Sequence, residues 1–209
     1  MDNNKNIGIF FNKHLNYLIG TVGNIEENFS ERKISDSVFL FFNKDKKLSG
    51  FNIYNPIHRF SSKIFNGINS DNDDLVNEIK EYLITIGINI SDFNQNPQFE
   101  VGEILSVEKH KQADTLNVCK VKIKNETLQI VCGGVNVKKG INVVVAKNGT
   151  IMPNLNIIKP ANLRGVDSNG MICSASELGL VDNLPEKNIM VLNKKIFKTG
   201  ECFWKIYYK

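Results

Sequence analysis

Aromatic residues are missing from almost half of this chain. It holds 13 Phe, 5 Tyr and 1 Trp, yet none falls between Glu100 and Ile196. Proteins that grip flexible single strands offer aromatic platforms on which bases stack, so that half is not built as a general strand binder. Cysteine and histidine are sparse too. Cys119, Cys132, Cys173 and Cys202 stand far apart with no Cys-x-x-Cys pair, and His14, His58 and His110 are equally scattered. A zinc site needs closely spaced ligand pairs, so neither a metal nor another cofactor is expected. No apolar run approaches the ~20 residues of a membrane span, and Met1 to Asn6 lacks the apolar core of a signal peptide. A cytoplasmic protein without a membrane partner is the expectation. There is no Gly-x-x-x-x-Gly-Lys-Ser/Thr phosphate loop, and Glu108 and Asp114 read as solvated strand ends rather than an acid/base pair. These absences argue against an enzyme.

What is present is an ordinary globular composition, 42% hydrophobic and 23% charged. Charge divides the chain. Residues 1–98 carry 10 Lys and Arg against 12 Asp and Glu, whereas residues 99–209 carry 16 against 10. A positive field confined to one half points to a polyanion met by that half. Two domains are expected, a small one over residues 1–90 and a second over 99–209, with the polar stretch Ser91–Gln98 between them as a linker.

The first half predicts strands over Ile7–Asn12, Leu15–Val22, Ser35–Asn43 and Lys47–Tyr54, rich in β-branched and aromatic residues and separated by polar turns. Ser70-Asp71-Asn72-Asp73 then forms a capping box. Leu75, Ile79, Tyr82, Leu83 and Ile86 recur at helical spacing, and Gly87 ends the helix. His58-Arg59, after Pro56, reads as a surface loop.

The second half predicts strands over Phe99–Lys109, Leu116–Lys124, Thr127–Cys132, Ile141–Ala146 and Ile157–Leu163, the last interrupted by Pro160. In the second of these, Lys120, Lys122 and Lys124 share one face with Val118, while Cys119, Val121 and Ile123 share the other. One side is basic and the other buried. Asn136–Gly140 has the length of a single helical turn. Several short strands with a helical turn after the third suggest a small OB-type barrel, although periodicity alone equally admits an SH3-like one.

The most distinctive stretch is Leu163–Leu180, where Gly165 and Gly170 bracket a polar turn carrying Arg164, Ser168, Ser174 and Ser176. Ser174 and Glu177 have the spacing of a capping box, and free amides there favour an anion such as phosphate. Arg164 reads either as a phosphate contact or as the partner of Asp167, Met171 as core or as a contact to a sugar, and Cys173 as core or as a reactive thiol. The candidate RNA-contacting set is Asn117, Lys120, Lys122, Lys138, Lys139, Arg164, Ser168, Met171, Ser174 and Ser176. Each lysine taken alone is interchangeable with a solvated surface lysine, and their joint placement is what points to RNA.

Residues 99 to about 203 resemble the tRNA-binding domain found in the phenylalanyl-tRNA synthetase β-subunit, in bacterial methionyl-tRNA synthetases and in free-standing tRNA-binding proteins. The resemblance is carried by Val101-Gly102, Glu108-Lys109-His110, Ala113-Asp114, Leu116-Asn117-Val118-Cys119, Leu128 to Gly133, Asn136-Val137 and the Leu163–Leu180 stretch. Gly50-Phe51-Asn52-Ile53-Tyr54-Asn55 is similar to the N-terminal domain of the YtpR type of free-standing protein. Two departures occur: Lys111 stands where His-Pro is customary, and Gly134-Val135 replaces Ala-Pro. The resemblance implies an α+β N-terminal domain, a β-meander plus one helix, followed by an all-β OB-fold barrel with short helical turns. It further implies a non-catalytic protein that recognises folded tRNA, as an accessory to aminoacylation. An aminoacyl-tRNA synthetase and a second copy of the chain are the other partners it admits. The rival readings are a protein-interaction or chaperone module and a degenerate synthetase subunit.

Overall fold

Alternating apolar residues in short strands must pair before they can bury one face, and the chain does this twice. The structure, a computed structural model, describes residues 6–22, 30–88, 97–181 and 188–209. Residues 91–96 of the expected linker lie outside the described residues. The chain divides into a first compact unit, residues 1–96 with Pro153–Leu155, and a second comprising 97–152 and 156–209.

The first unit contains β1 (Ile7–Asn12), β2 (Tyr17–Val22), β3 (Ser30–Ser35), β4 (Val38–Phe42), β5 (Leu48–Tyr54), β6 (Gly67–Ile68) and the helix α1 (Asp73–Thr85). Its sheet runs in the order β3-β4-β5-β2-β1-β6, so a β1–β2 hairpin and a β3–β4–β5 meander are joined where β2 pairs β5. One face of the sheet, with Ile9, Leu18, Leu40, Phe51 and Ile53, packs on Leu75, Val76, Ile79 and Leu83 of α1. Two expectations need correction. β3 was not anticipated, because Ser-Glu-Arg-Lys-Ile-Ser is polar, as suits an exposed edge strand with only one neighbour. The cap of α1 is Asn72, whose side chain accepts from Leu75 N, while the Ser70 hydroxyl instead accepts from Ile9 N at 2.9 Å. Ser70 faces a strand edge that needs an acceptor, and that tie wins over the cap. Gly87, at φ 82°, ends the helix as expected, with Ile88 N bonded to Leu83 O and Gly87 N to Ile84 O.

The second unit contains β7 (Phe99–Lys109), β8 (Asn117–Lys122), β9 (Thr127–Cys132), β10 (Asn142–Ala146), β11 (Ala161–Leu163), β12 (Val166–Ser168), β13 (Met171–Ile172), β14 (Val191–Leu192) and the short helix α2 (Phe203–Tyr207). The sheet order is β13-β10-β7-β8-β9, with β14 also on β10, and β13 at one end of this order lies against β9 at the other. That closure makes an OB-type barrel, filled by Ile104, Cys119, Val121, Ile130, Val143 and Val145. The eleven-residue β7 serves both neighbours, pairing β10 through Phe99–Glu103 and β8 through Glu103–Lys109, with a register shift between Ile104 and Ser106.

Here too the structure differs from the reading of the sequence. Asn136–Gly140 forms turns and no helix; the Asn136 side chain donates to Ile189 O and accepts from Ile189 N, which ties the segment to a distant part of the chain. The strand expected over Ile157–Leu163 is reduced by Pro160 to a bridge between Ile151 and Ile157 and the three residues of β11. The helix α2 went unread; its Phe203 and Trp204 are buried, with the Trp204 ring 5.8 Å from that of Phe99. Among the described residues no helix is long and apolar enough to cross a membrane.

A glycine in the first sheet offers a direct check of its packing. A Cβ on Gly20 would lie 2.0 Å from Cζ of Phe51, which is fully buried and cannot swing aside. Gly20→Ala should therefore lower the free energy of urea unfolding by about 1 to 3 kcal/mol with little change in far-UV circular dichroism.

Candidate nucleic-acid interface

The period-two pattern of β8 is realised as read. Cys119, Val121 and Ile123 are buried, and Lys120, Lys122 and Lys124 are exposed on the outer side. Among the described residues, the ion pairs of this unit are Lys147–Glu100 and Lys194–Glu103, so neither Lys120 nor Lys122 is held in one, and Glu103, opposite Lys122 across the β7–β8 ladder, is engaged by Lys194. Lys120 Nζ donates to Gln129 Oε1 at 2.9 Å, and Gln129 Nε2 in turn donates to Asp167 O at 2.8 Å. This chain of bonds carries the basic strand across β9 to the β11–β12 hairpin. The same seam is closed by Val131 N on Ser168 Oγ, 3.1 Å, and by Asn169 N on Gln129 O, 2.8 Å.

The hairpin turns on Arg164 and Gly165, at φ 49° and 83°, both in the left-handed region that a two-residue type I′ turn requires. Asn162 locks it by accepting from Gly165 N and donating to Asp167 Oδ1. Asp167 is thus engaged by Asn162, and Arg164 Nη1 donates instead to Gln112 O at 2.7 Å. The expected alternative of an Arg164–Asp167 pair is not what forms. His110 holds the other side. Its Nδ1 accepts from Gln112 N, so the ring proton sits on Nε2, which donates to Leu163 O at 2.9 Å. His110, only 4% exposed, and Gln112 were not among the residues singled out. The signal for His110 lay in its motif; Gln112 acts through its backbone, which carries no sequence signature.

The remaining candidates divide. Ser168 is buried, with its hydroxyl spent on Val131 N. Ser174 and Glu177 form both arms of the capping box, Glu177 N on Ser174 Oγ and Ser174 N on Glu177 Oε2, and the Ser176 hydroxyl bonds that of Ser174. Leu180 N on Ala175 O and Gly179 N on Ser176 O close the other end, so the element is one turn capped on both sides. The expected anion position at Ser174 is filled by the protein's own Glu177 carboxylate. Met171 is half-buried on β13 opposite Ala146, and Asn117 half-buried opposite Lys109 and Cys132. Lys138 and Lys139 are exposed in the β9–β10 turn, with no hydrogen bond linking them to the β8–β12 group among the described residues. Cys173 is fully buried, which disfavours its reading as a reactive thiol: burial pushes the thiol up, and the nearby Glu177 adds to this.

Residues 99–200 match the family model described as "Putative tRNA binding domain". Over 178 residues the chain is 43% identical to "Putative tRNA-binding protein YtpR" of Bacillus subtilis, covering 85% of this chain and 88% of that protein. The chain belongs to the YtpR family. A second relative is the "Phenylalanine--tRNA ligase beta subunit" of Sulfurimonas denitrificans, 50% identical over 93 residues, which are 44% of this chain and 12% of that subunit. Among solved structures, the C-terminal domain of Plasmodium vivax p43 overlaps 35% of this chain and 43% of that chain, at 28% identity and a TM-score of 0.29, too slight an overlap to bear on the fold.

In this YtpR-family barrel the hairpin bearing Arg164 rests on His110. His110→Ala would leave Leu163 O and Gln112 N without partners where the histidine is buried, at about 1 to 3 kcal/mol for each unsatisfied group. Urea unfolding should report a loss of at least the lower figure, and a smaller loss would mean that water replaces the imidazole.

Proposed function

We propose that this chain is a non-catalytic protein that binds folded tRNA through the outer face of its second unit. The observation that carries this is the exposed row of Lys120 and Lys122, neither in an ion pair among the described residues, running by way of Gln129 to a hairpin tipped by Arg164. Phosphates spaced along a folded backbone fit such a row, since the contacts are charge-assisted and need no stacking. Membership in the YtpR family supports tRNA as the polyanion. The contact surface proposed is Lys120, Lys122, Lys138, Lys139 and Arg164, with Asn117 and Met171 beside it; Ser168, Ser174 and Ser176 shape the surface from within. The domain that carries this function spans residues 99–209, and its action beside an aminoacyl-tRNA synthetase rests on the likeness to the ligase β-subunits.

Each lysine seated on a phosphate releases condensed counterions, so affinity falls as salt rises. The Lys120→Ala/Lys122→Ala double variant should weaken tRNA binding across sequences and flatten the log–log salt dependence by about 1 per lost contact. An unchanged slope would return both lysines to ordinary surface solvation.

Arg164 is tested best by Asn, which tolerates the left-handed backbone that the turn needs while removing the charge. Arg164→Asn should leave the melting temperature within a few degrees of the parent and weaken tRNA binding by about tenfold, a loss of about 1.4 kcal/mol. Normal binding with a lowered melting temperature would assign Arg164 to the hairpin alone.

A further inference from the structure

Two turns meet at the end of the β10–β13 ladder, and each carries an asparagine that its backbone does not require. Ala146 pairs Met171 there, so residues 147–150, which follow β10, lie beside Asn169 and Gly170, which precede β13. The first turn is closed by Thr150 N on Lys147 O at 3.0 Å and held from outside by Lys147 N on Gln98 O and Gly149 N on Ile158 O. In the second, Asn169 N bonds Gln129 O at 2.8 Å, and Gly170 comes so close to β10 that a Cβ on it would lie 2.9 Å from Ala146 O. The left-handed angles fall on Gly149 at φ 87° and Gly170 at φ 102°, not on the asparagines before them. Glycine meets the demand of each turn, so backbone conformation does not explain either asparagine.

Asn148 Nδ2 donates to Asn169 Oδ1 at 3.5 Å, and among the described residues the two side-chain amides have no other bond. Elsewhere in this unit Asn136, Asn142 and Asn162 spend theirs on Ile189, Phe197 and the β11–β12 hairpin. The head-to-tail arrangement leaves Asn148 Oδ1 as an acceptor and Asn169 Nδ2 as a donor. Asn148 is exposed and Asn169 half-buried, so these groups are offered to solvent from a backbone fixed on both sides. Lys147, the neighbouring charge, is turned onto Glu100 and leaves the tip of its turn neutral.

We infer that the Asn148/Asn169 pair reads the hydrogen-bonding edge of an unpaired base in the tRNA seated on the basic row. The inference rests on the reading of that row as a tRNA surface. Gln129 is the link, since its side chain holds Lys120 and its carbonyl holds Asn169, which sets the amides beside the place where a phosphate would sit. A phosphate itself fits the pair poorly, because it has no donor for Asn148 Oδ1. A base edge has both partners: the amino group and ring nitrogen of adenine or cytosine, or the imino group and carbonyl of guanine or uracil. Within a duplex those groups are engaged by the opposite base, so the pair selects an unpaired one. The lysines then place the RNA, and the amides discriminate among sequences.

The test uses the full chain with tRNA at saturating protein. Dimethyl sulfate reports the free edges of adenine and cytosine, a carbodiimide those of guanine and uracil, and hydroxyl radicals the backbone. The parent should shield a backbone tract together with an unpaired base. Asn148→Ala/Asn169→Ala should restore reactivity at that base, keep the backbone footprint, and weaken binding by about fivefold or more at every salt concentration without changing the salt slope. Asn148→Ala alone, at an exposed turn position that alanine tolerates, gives the same readout should the double variant melt early. Lys120→Ala/Lys122→Ala should instead flatten the slope, with the base still shielded once the protein is raised to saturation. A shielded backbone with no shielded base edge, shielding that survives in both asparagine variants, or a flattened slope in those variants would each overturn the inference. An absent backbone footprint would overturn the tRNA reading itself, and this inference with it.

Discussion

A sheet of five short strands becomes a barrel only if one strand can bond on both edges while it bends, and in this chain β7 does so around Gly102. The interior there has no space for a side chain: a Cβ on Gly102 would lie 2.6 Å from Val145 Cγ2 and 2.7 Å from Val121 Cγ1. The missing side chain lets β10 and β8 approach β7 from its two sides, and the register shift after Ile104 supplies the bend. Everything on the outer surface follows from that closure. It turns the lysines of β8 outward and brings β9 to the seam where Gln129 and Val131 meet β12.

At the seam, local strain is held by tertiary bonds. Arg164 occupies a left-handed position at about 1 to 2 kcal/mol of backbone energy, which glycine or asparagine would largely avoid. The hairpin keeps this conformation because Asn162 ties its own turn, His110 ties Leu163 and Gln112 receives the guanidinium. The serines nearby work inward: Ser168, Ser174 and Ser176 use their hydroxyls on neighbouring protein atoms and so fix the shape of the loop on which the charge is carried.

The two units also differ in how they use large side chains. The first packs Phe51 and Phe11 against its helix and leaves Tyr54 exposed to solvent. The second gathers its aromatics at the start and end of its span, where Phe99, Phe203 and Trp204 interlock, and presents lysine elsewhere. The opposing charge balance of the two halves follows the same division.

The sequence by itself determined what depends on near neighbours. The bounds of β1, β7 and β9, the apolar face of α1, the capped turn at Ser174 and the two faces of β8 follow from periods of two and 3.6 residues and from turn chemistry, and all were legible. Legibility failed where distant partners decide. Ser70 gave up its cap to Ile9, Asn136 is tied to Ile189 where a helical turn was expected, polar β3 became a strand because β4 offered it an edge, and α2 formed around Phe99. The same holds for the candidate site. That lysines lie on one side of β8 was written in their spacing, but only the folded barrel placed Arg164 beside Gln112 and His110 and away from Asp167, or turned Ser168 inward. Hydrogen bonds between residues more than fifty positions apart leave no local pattern, since each donor is chosen by the partner that closure brings to it.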